Sequence, residues 1–199
     1  GINAEYGEMT SRDQALAQQM RIASKNPDFK IFIPDKKQSY LWHVSYKGPI
    51  ESDFDHGIYH AVIDLENYPQ SAPKVAVITP SGAYEVGTNL CLVGITHYHQ
   101  EGWSQGTSIE GIVNAISAYM LPGSRAGNGI GMISSSSDVC KKLAIESLKY
   151  KCSQCTCDHS KLFKEPQKQA KKEEVEVAES DVSAKSVQKK KVVMDLSDD

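Results

Sequence analysis

The sequence predicts an α+β domain in which a sheet of consecutive strands packs against helices. Three observations predict it. Apolar residues at helical spacing stand near the start and again beyond residue 107. Between them lie four short strand-like segments joined by turn residues, with no helical stretch interposed. A long irregular stretch, Thr79 to Thr107, then separates the last strand from the second helix. Consecutive short strands without intervening helices favour an antiparallel meander.

Taken in order, Thr10-Ser11-Arg12-Asp13-Gln14 reads as a helix start, with Ser11 and Gln14 in capping-box spacing. Leu16, Met20 and Ala23 recur at i, i+4 and i+7, and Asn26-Pro27 stops the helix. Strands are expected at Phe29–Ile33, Tyr40–Tyr46, Ile58–Leu65 and Lys74–Ile78. In the third, Tyr59, Ala61, Ile63 and Leu65 alternate with His60, Val62 and Asp64, the pattern of a half-buried strand. Pro34-Asp35, Lys47-Gly48-Pro49 and Asn67-Tyr68-Pro69 supply the turns. Ser108 caps a second helix whose stripe is Ile109, Ile112, Val113, Ile116 and Met120, ended by Pro122-Gly123. After a Gly/Ser-rich loop, a third helix fits Asp138–Tyr150 with Val139, Leu143 and Leu148 inward.

Composition bounds the function. Hydrophobic residues are 40% and charged residues 24% of 199, an ordinary globular balance. No apolar run approaches the roughly 18 residues of a membrane helix, and no signal peptide is visible at the N-terminus. A net charge of −3 gives no basic footprint for nucleic acid. Five cysteines are too few for a disulfide scaffold and odd in number, which favours a reducing compartment. From Ser160 to Asp199, 18 of 40 residues are charged, nine of each sign. Such a segment buries too little apolar surface to offset its ordering entropy. The domain reading is therefore a flexible 1–9, a folded 10–159 and a polar, disordered tail at 160–199, with a transient helix at Lys168–Glu176.

Particular residues then carry a resemblance. Lys47-Gly48-Pro49, Gly57-Ile58-Tyr59 and Tyr68-Pro69-Gln70-Ser71-Ala72-Pro73-Lys74-Val75 follow one another in order. Asn89-Leu90-Cys91-Leu92 and Trp103 come downstream. Together they resemble the signature of the ubiquitin-conjugating (E2) enzymes over roughly residues 10 to 150. Thr79-Pro80-Ser81-Gly82-Ala83-Tyr84, His97-Tyr98-His99-Gln100-Glu101-Gly102-Trp103, and Leu143-Ala144 with the cysteines after Tyr150 resemble that family's J-type branch, which is tail-anchored at the endoplasmic reticulum. The sequence departs from the pattern at Ser81, where the family has asparagine, at Gln100 and Gln105, where it has proline, and at Thr107, where it has a second tryptophan. One extra residue lies between Cys91 and Trp103.

The resemblance implies the ubiquitin-conjugating (UBC) fold and acyl transfer. Ubiquitin would arrive from an activating enzyme as a thioester on Cys91 and pass to a substrate lysine or hydroxyl with a ligase. A thiolate suits this because it is strongly nucleophilic and its thioester stays reactive toward amines. No cofactor is implied, ATP being consumed by the activating enzyme. Expected partners are ubiquitin, the activating enzyme, a ligase and substrate proteins, without nucleic acid. The first helix and the loops Tyr68–Pro73 and Trp103–Gly106 would dock them, with Arg12 and Arg21 as charged contacts. The branch implies degradation work at the cytosolic face of the endoplasmic reticulum. It also implies a chain that continues past Asp199 into a membrane anchor, the membrane contact being through that anchor alone.

Other residues offer weaker readings. Ser81 could donate to a developing oxyanion, or serve the turn Pro80-Ser81-Gly82. His99, and less so His97, could take the acceptor's proton, or be ordinary loop histidines. His43 and His60 fall in strands and read as structural. Gly87 and Gly94 flank Cys91 and would let an extended peptide approach. Cys152-x2-Cys155-x-Cys157-x-His159 offers four soft metal ligands, but so close together that closing a tetrahedral site among them is awkward. The reading is no metal, with reduced thiols at a helix end. Two rival functions stand beside the enzyme: a catalytically weak E2-like scaffold that binds ubiquitin or a ligase, and a metal-binding adaptor using Cys152 to His159.

Overall fold

The computed structural model describes residues 9–124 and 129–163. Helix α1 (Ser11–Ala23) is followed by strands β1 (Phe29–Phe32), β2 (Leu41–Lys47), β3 (Ile58–Asp64) and β4 (Lys74–Val77). Helix α2 (Ile109–Ala118) and helix α3 (Ser137–Ser147) complete the order. The strands form one antiparallel sheet in the order β1-β2-β3-β4, the expected meander. Each strand lies within a residue or so of its expected bounds.

Alternation decides the core. Trp42, Val44 and Tyr46 on β2 and Tyr59, Ala61 and Ile63 on β3 are all at most 2% exposed. They pack with Leu16 of α1 and with Ile109, Ile112, Val113 and Ile116 of α2. Ser108 caps α2 as expected, its side chain accepting from the Gly111 N–H. Chain contacts set a unit ending at Leu162 apart from 163–199. The tail and the helix expected at Lys168–Glu176 lie outside the described residues.

Two expectations are corrected. The cap of α1 is Thr10, whose side chain accepts from the Asp13 N–H, so Ser11 is the first helical residue and not the cap. Gln14 reaches back to the Met9 carbonyl instead of closing a box on Ser11. In α3 the inward stripe is Cys140, Ala144 and Ser147, with Leu143 half-buried. Val139 and Leu148 are 44% and 37% exposed. Close approach decides this: a Cβ added to Gly82 would meet Cys140 Sγ at 2.8 Å, so only small side chains fit beneath the helix. Ser147 Oγ also accepts from the Ile58 N–H of β3 at 2.9 Å, tying helix to strand.

Candidate functional site

Cys91 sits between Leu90 and Leu92, both fully buried, while the cysteine itself is half-buried. Its backbone N–H donates to the Ile130 carbonyl at 3.0 Å. Leu90 donates to Val75 of β4, and Leu92 N–H to Thr96 Oγ1. The residue is therefore pinned on both sides without being fully buried. Gly129 lies against it so closely that an added Cβ would meet the Cys91 carbonyl oxygen at 2.8 Å. Gly87 has φ 75° and open space where a Cβ would go. It is there for its left-handed backbone, not to make room.

Ser81 is fully buried, and its Oγ accepts from the N–H groups of Ala83 and Tyr84 at 3.1 and 3.2 Å. That is the geometry of a turn-holding serine. His99 is 42% exposed by side chain, with Nδ1 3.2 Å from Glu101 Oε1. A hydrogen bond from its own backbone, and then this one, hold the Glu101 carboxyl below its usual range. His97 Nδ1 is buried without a partner among the described residues, and burial lowers its pKa, with Lys74 adding to the effect.

The two loops expected to dock partners are bolted together. Trp103 Nε1 donates to the Pro69 carbonyl at 2.8 Å and its ring meets Tyr68 edge-on. Gln100 pairs with the backbone of Ala72 in both directions, and Tyr68 Oη donates to the Thr107 carbonyl. Arg12 is already committed: its guanidinium lies 4.8 Å above the Tyr40 ring and donates to the Glu66 carbonyl. Arg21 is exposed.

A second cluster lies on the opposite face of the sheet. Residues 150–159 fold back on themselves, with Cys152 N–H bonded to the Cys157 carbonyl and His159 N–H to that of Tyr150. This turn covers His43, Ser45 and His60, none of which has any exposure. Strand alternation sets His60 opposite Tyr59 and Ala61, but only the fold shows what buries the three. Cys152 Sγ is 3.6 Å from His43 Nδ1, and Cys155 Sγ is 3.5 Å from His60 Nε2. The two imidazoles approach at 3.1 Å. Burial holds His60 down to about 3 and lowers His43 and His159. Burial likewise pushes the Cys155 thiol up to about 12.

Comparison with known proteins gives the architecture its family. Residues 14–127 match the family model described as ubiquitin-conjugating enzyme. Ubiquitin-conjugating enzyme E2 32 of Arabidopsis thaliana is 31% identical over 144 residues, which are 71% of this chain and 46% of that protein. The human ubiquitin-conjugating enzymes E2 J1 and E2 J2 are 32% and 29% identical, over 61% and 71% of this chain. Those matches span 38% and 54% of the human proteins, so the chain spans about half or less of the length of these relatives. Among solved structures, the H. polymorpha ubiquitin-conjugating enzyme Pex4p, crystallised with the soluble domain of Pex22p, aligns with a TM-score of 0.48 at 18% identity, over 56% of this chain and 79% of that one. With the family model covering more than half of its length, the chain belongs to the ubiquitin-conjugating enzyme family.

Proposed function

We propose that the chain is an active ubiquitin-conjugating enzyme with Cys91 as its nucleophile. The observation that carries this is the setting of Cys91. Its backbone is held through β4 and the 129–132 segment, and the residue stays half-buried beside the close-packed Gly129. Cys140, Cys152 and Cys157 are buried and packed in other elements. The Cys91 thiolate would attack the activating enzyme's thioester, forming a new S–C bond as that enzyme's thiolate leaves. An acceptor amine or hydroxyl would then attack the same carbonyl carbon and expel Cys91 thiolate. His99, oriented by Glu101, would take the acceptor's proton through Nε2. The similarity to the J1 and J2 enzymes supports a place in degradation at the endoplasmic reticulum. Ubiquitin, an activating enzyme and a ligase are the partners this reading needs.

Incubation with activating enzyme, ATP and ubiquitin is expected to give an adduct that thiol reagents cleave. Cys91→Ala should give none, and Cys91→Ser a thiol-resistant ester. Failure to load under conditions that load another ubiquitin-conjugating enzyme would overturn the reading. One observation favours a second reading, an E2-like scaffold of weak activity: Ser81 Oγ is buried and occupied by its own turn. Stable loading without discharge to lysine or serine, even with a ligase, would select that scaffold.

A further inference from the structure

We propose that His43, His60, Cys152 and Cys155 bind one structural zinc ion that fastens the 150–159 turn to the outer face of the sheet. Their four ligand atoms lie within 4.8 Å of one another. Zinc bonds of about 2.0–2.1 Å to nitrogen and about 2.3 Å to sulfur define a tetrahedron. Its edges are about 3.4 Å between nitrogens and about 3.6 Å between nitrogen and sulfur. The structure has 3.1 Å for His43 Nδ1 to His60 Nε2, 3.6 Å for His43 Nδ1 to Cys152 Sγ and 3.5 Å for His60 Nε2 to Cys155 Sγ. The donor set of two thiolates and two imidazoles is that of a closed zinc site. The tight spacing of Cys152 to His159 is no obstacle, because half of the ligands come from β2 and β3.

A hydrogen-bond chain selects these four over the neighbouring group His60, Cys157 and His159. His159 Nδ1 faces the Ser147 carbonyl at 2.8 Å, and a carbonyl only accepts, so Nδ1 carries the proton. In the neutral ring His159 Nε2 then accepts, and Ser45 Oγ donates to it at 2.9 Å. The serine's one proton is then spent, so His60 Nδ1, 2.6 Å away, donates to Ser45 Oγ. That leaves the His60 Nε2 lone pair aimed at His43 Nδ1 and Cys155 Sγ. Both nitrogens of His159 are used, whereas His60 keeps one for a metal. Ser45 and His159 thus act as the outer partners that orient a ligating histidine.

Two further features fit. Gln154 N–H donates to Cys152 Sγ at 3.4 Å, a bond within the Cys-x2-Cys turn that fixes where the sulfur sits. A cleft lined by Phe32, Pro34, Gln154 and Thr156 opens beside Cys155, giving an ion a path in. Binding releases the two thiol protons to solvent. The complex of one dication, two thiolates and two neutral imidazoles carries no net charge, which suits a buried site. All four positions are filled by protein, so the ion holds structure and activates no water.

Elemental analysis of the full chain purified without added chelator is expected to find zinc at about one ion per chain. Refolding with cobalt(II) in its place should give the visible bands of a tetrahedral site with sulfur-to-cobalt charge transfer. Cys152→Ser and Cys155→Ser should lose the metal, whereas Cys157→Ser should keep it. A metal-free chain that takes up no cobalt would overturn the proposal, as would a Cys152–Cys155 disulfide in freshly purified protein. Metal lost in Cys157→Ser but kept in Cys155→Ser would overturn the ligand set. The cobalt spectrum of the unsubstituted chain decides the matter even if the serine variants fail to fold.

Discussion

Ser147 shows how much one side chain can carry. It lies on α3, 5% exposed, where a hydrophobic reading of that helix looks for a large apolar residue. Its Oγ donates to the Ala144 carbonyl and accepts from Ile58 N–H, so it serves as a polar clasp between helix and sheet. Its carbonyl also receives His159 Nδ1, the first link of the chain that sets the His60 tautomer. Ser147→Ala keeps the volume but leaves the Ile58 N–H buried without its acceptor. A buried unsatisfied donor costs about 1–3 kcal/mol. Urea unfolding of this variant should show a lower midpoint with unchanged slope. An unchanged midpoint would mean the clasp is dispensable.

At the scale of elements, helix ends are set by local hydrogen bonds that sequence spacing locates only to within a residue. Thr10 and Ser11 are adjacent and chemically alike, and both precede an acidic or amide residue three positions on. The side chain that accepts from N3 is that of Thr10. Thr10→Ala is expected to cost about 1 kcal/mol, in line with other caps. Ser11→Ala, exposed within the first turn, should stay within about 0.5 kcal/mol. Equal losses in thermal melts of the two variants would contradict the assignment. The loops at 68–73 and 97–107 teach a related lesson. Motif residues Tyr68, Pro69 and Trp103 are far apart in sequence, yet one indole hydrogen bond joins them into a single surface.

At the scale of the molecule, the sheet is covered on both faces, by helices on one and by the 150–159 turn at His43, Ser45 and His60 on the other. Tyr150 packs on His60 and on His159 with ring centroids 5.7 and 5.1 Å apart. A chain ended at Lys149 would bare these buried imidazoles and the Ser45 hydroxyl. In the presence of chelator, so that packing alone is read, it should melt about 2–8 °C below a chain ended at Phe163, as a loss of about 1–2 kcal/mol implies for this size. Equal melting temperatures would show that the turn contributes nothing without metal.

The sequence by itself determined the order of elements, the meander, the core face of β3 and the motif around Cys91. These depend on local periodicity, caps and turn residues, which short windows contain. It left the α3 face wrong because apolarity, the usual guide, competes there with the need for small residues against Gly82. It read the cysteine cluster as self-contained because Cys152 and His43 stand 109 positions apart, and Cys155 and His60 stand 95 apart. Only the tertiary structure, by pairing Ser45 with His60 and folding 150–159 over them, brought those ligands to one point. Periodicity tells which face of a strand a residue takes, and carries no information about which distant segment comes to cover it.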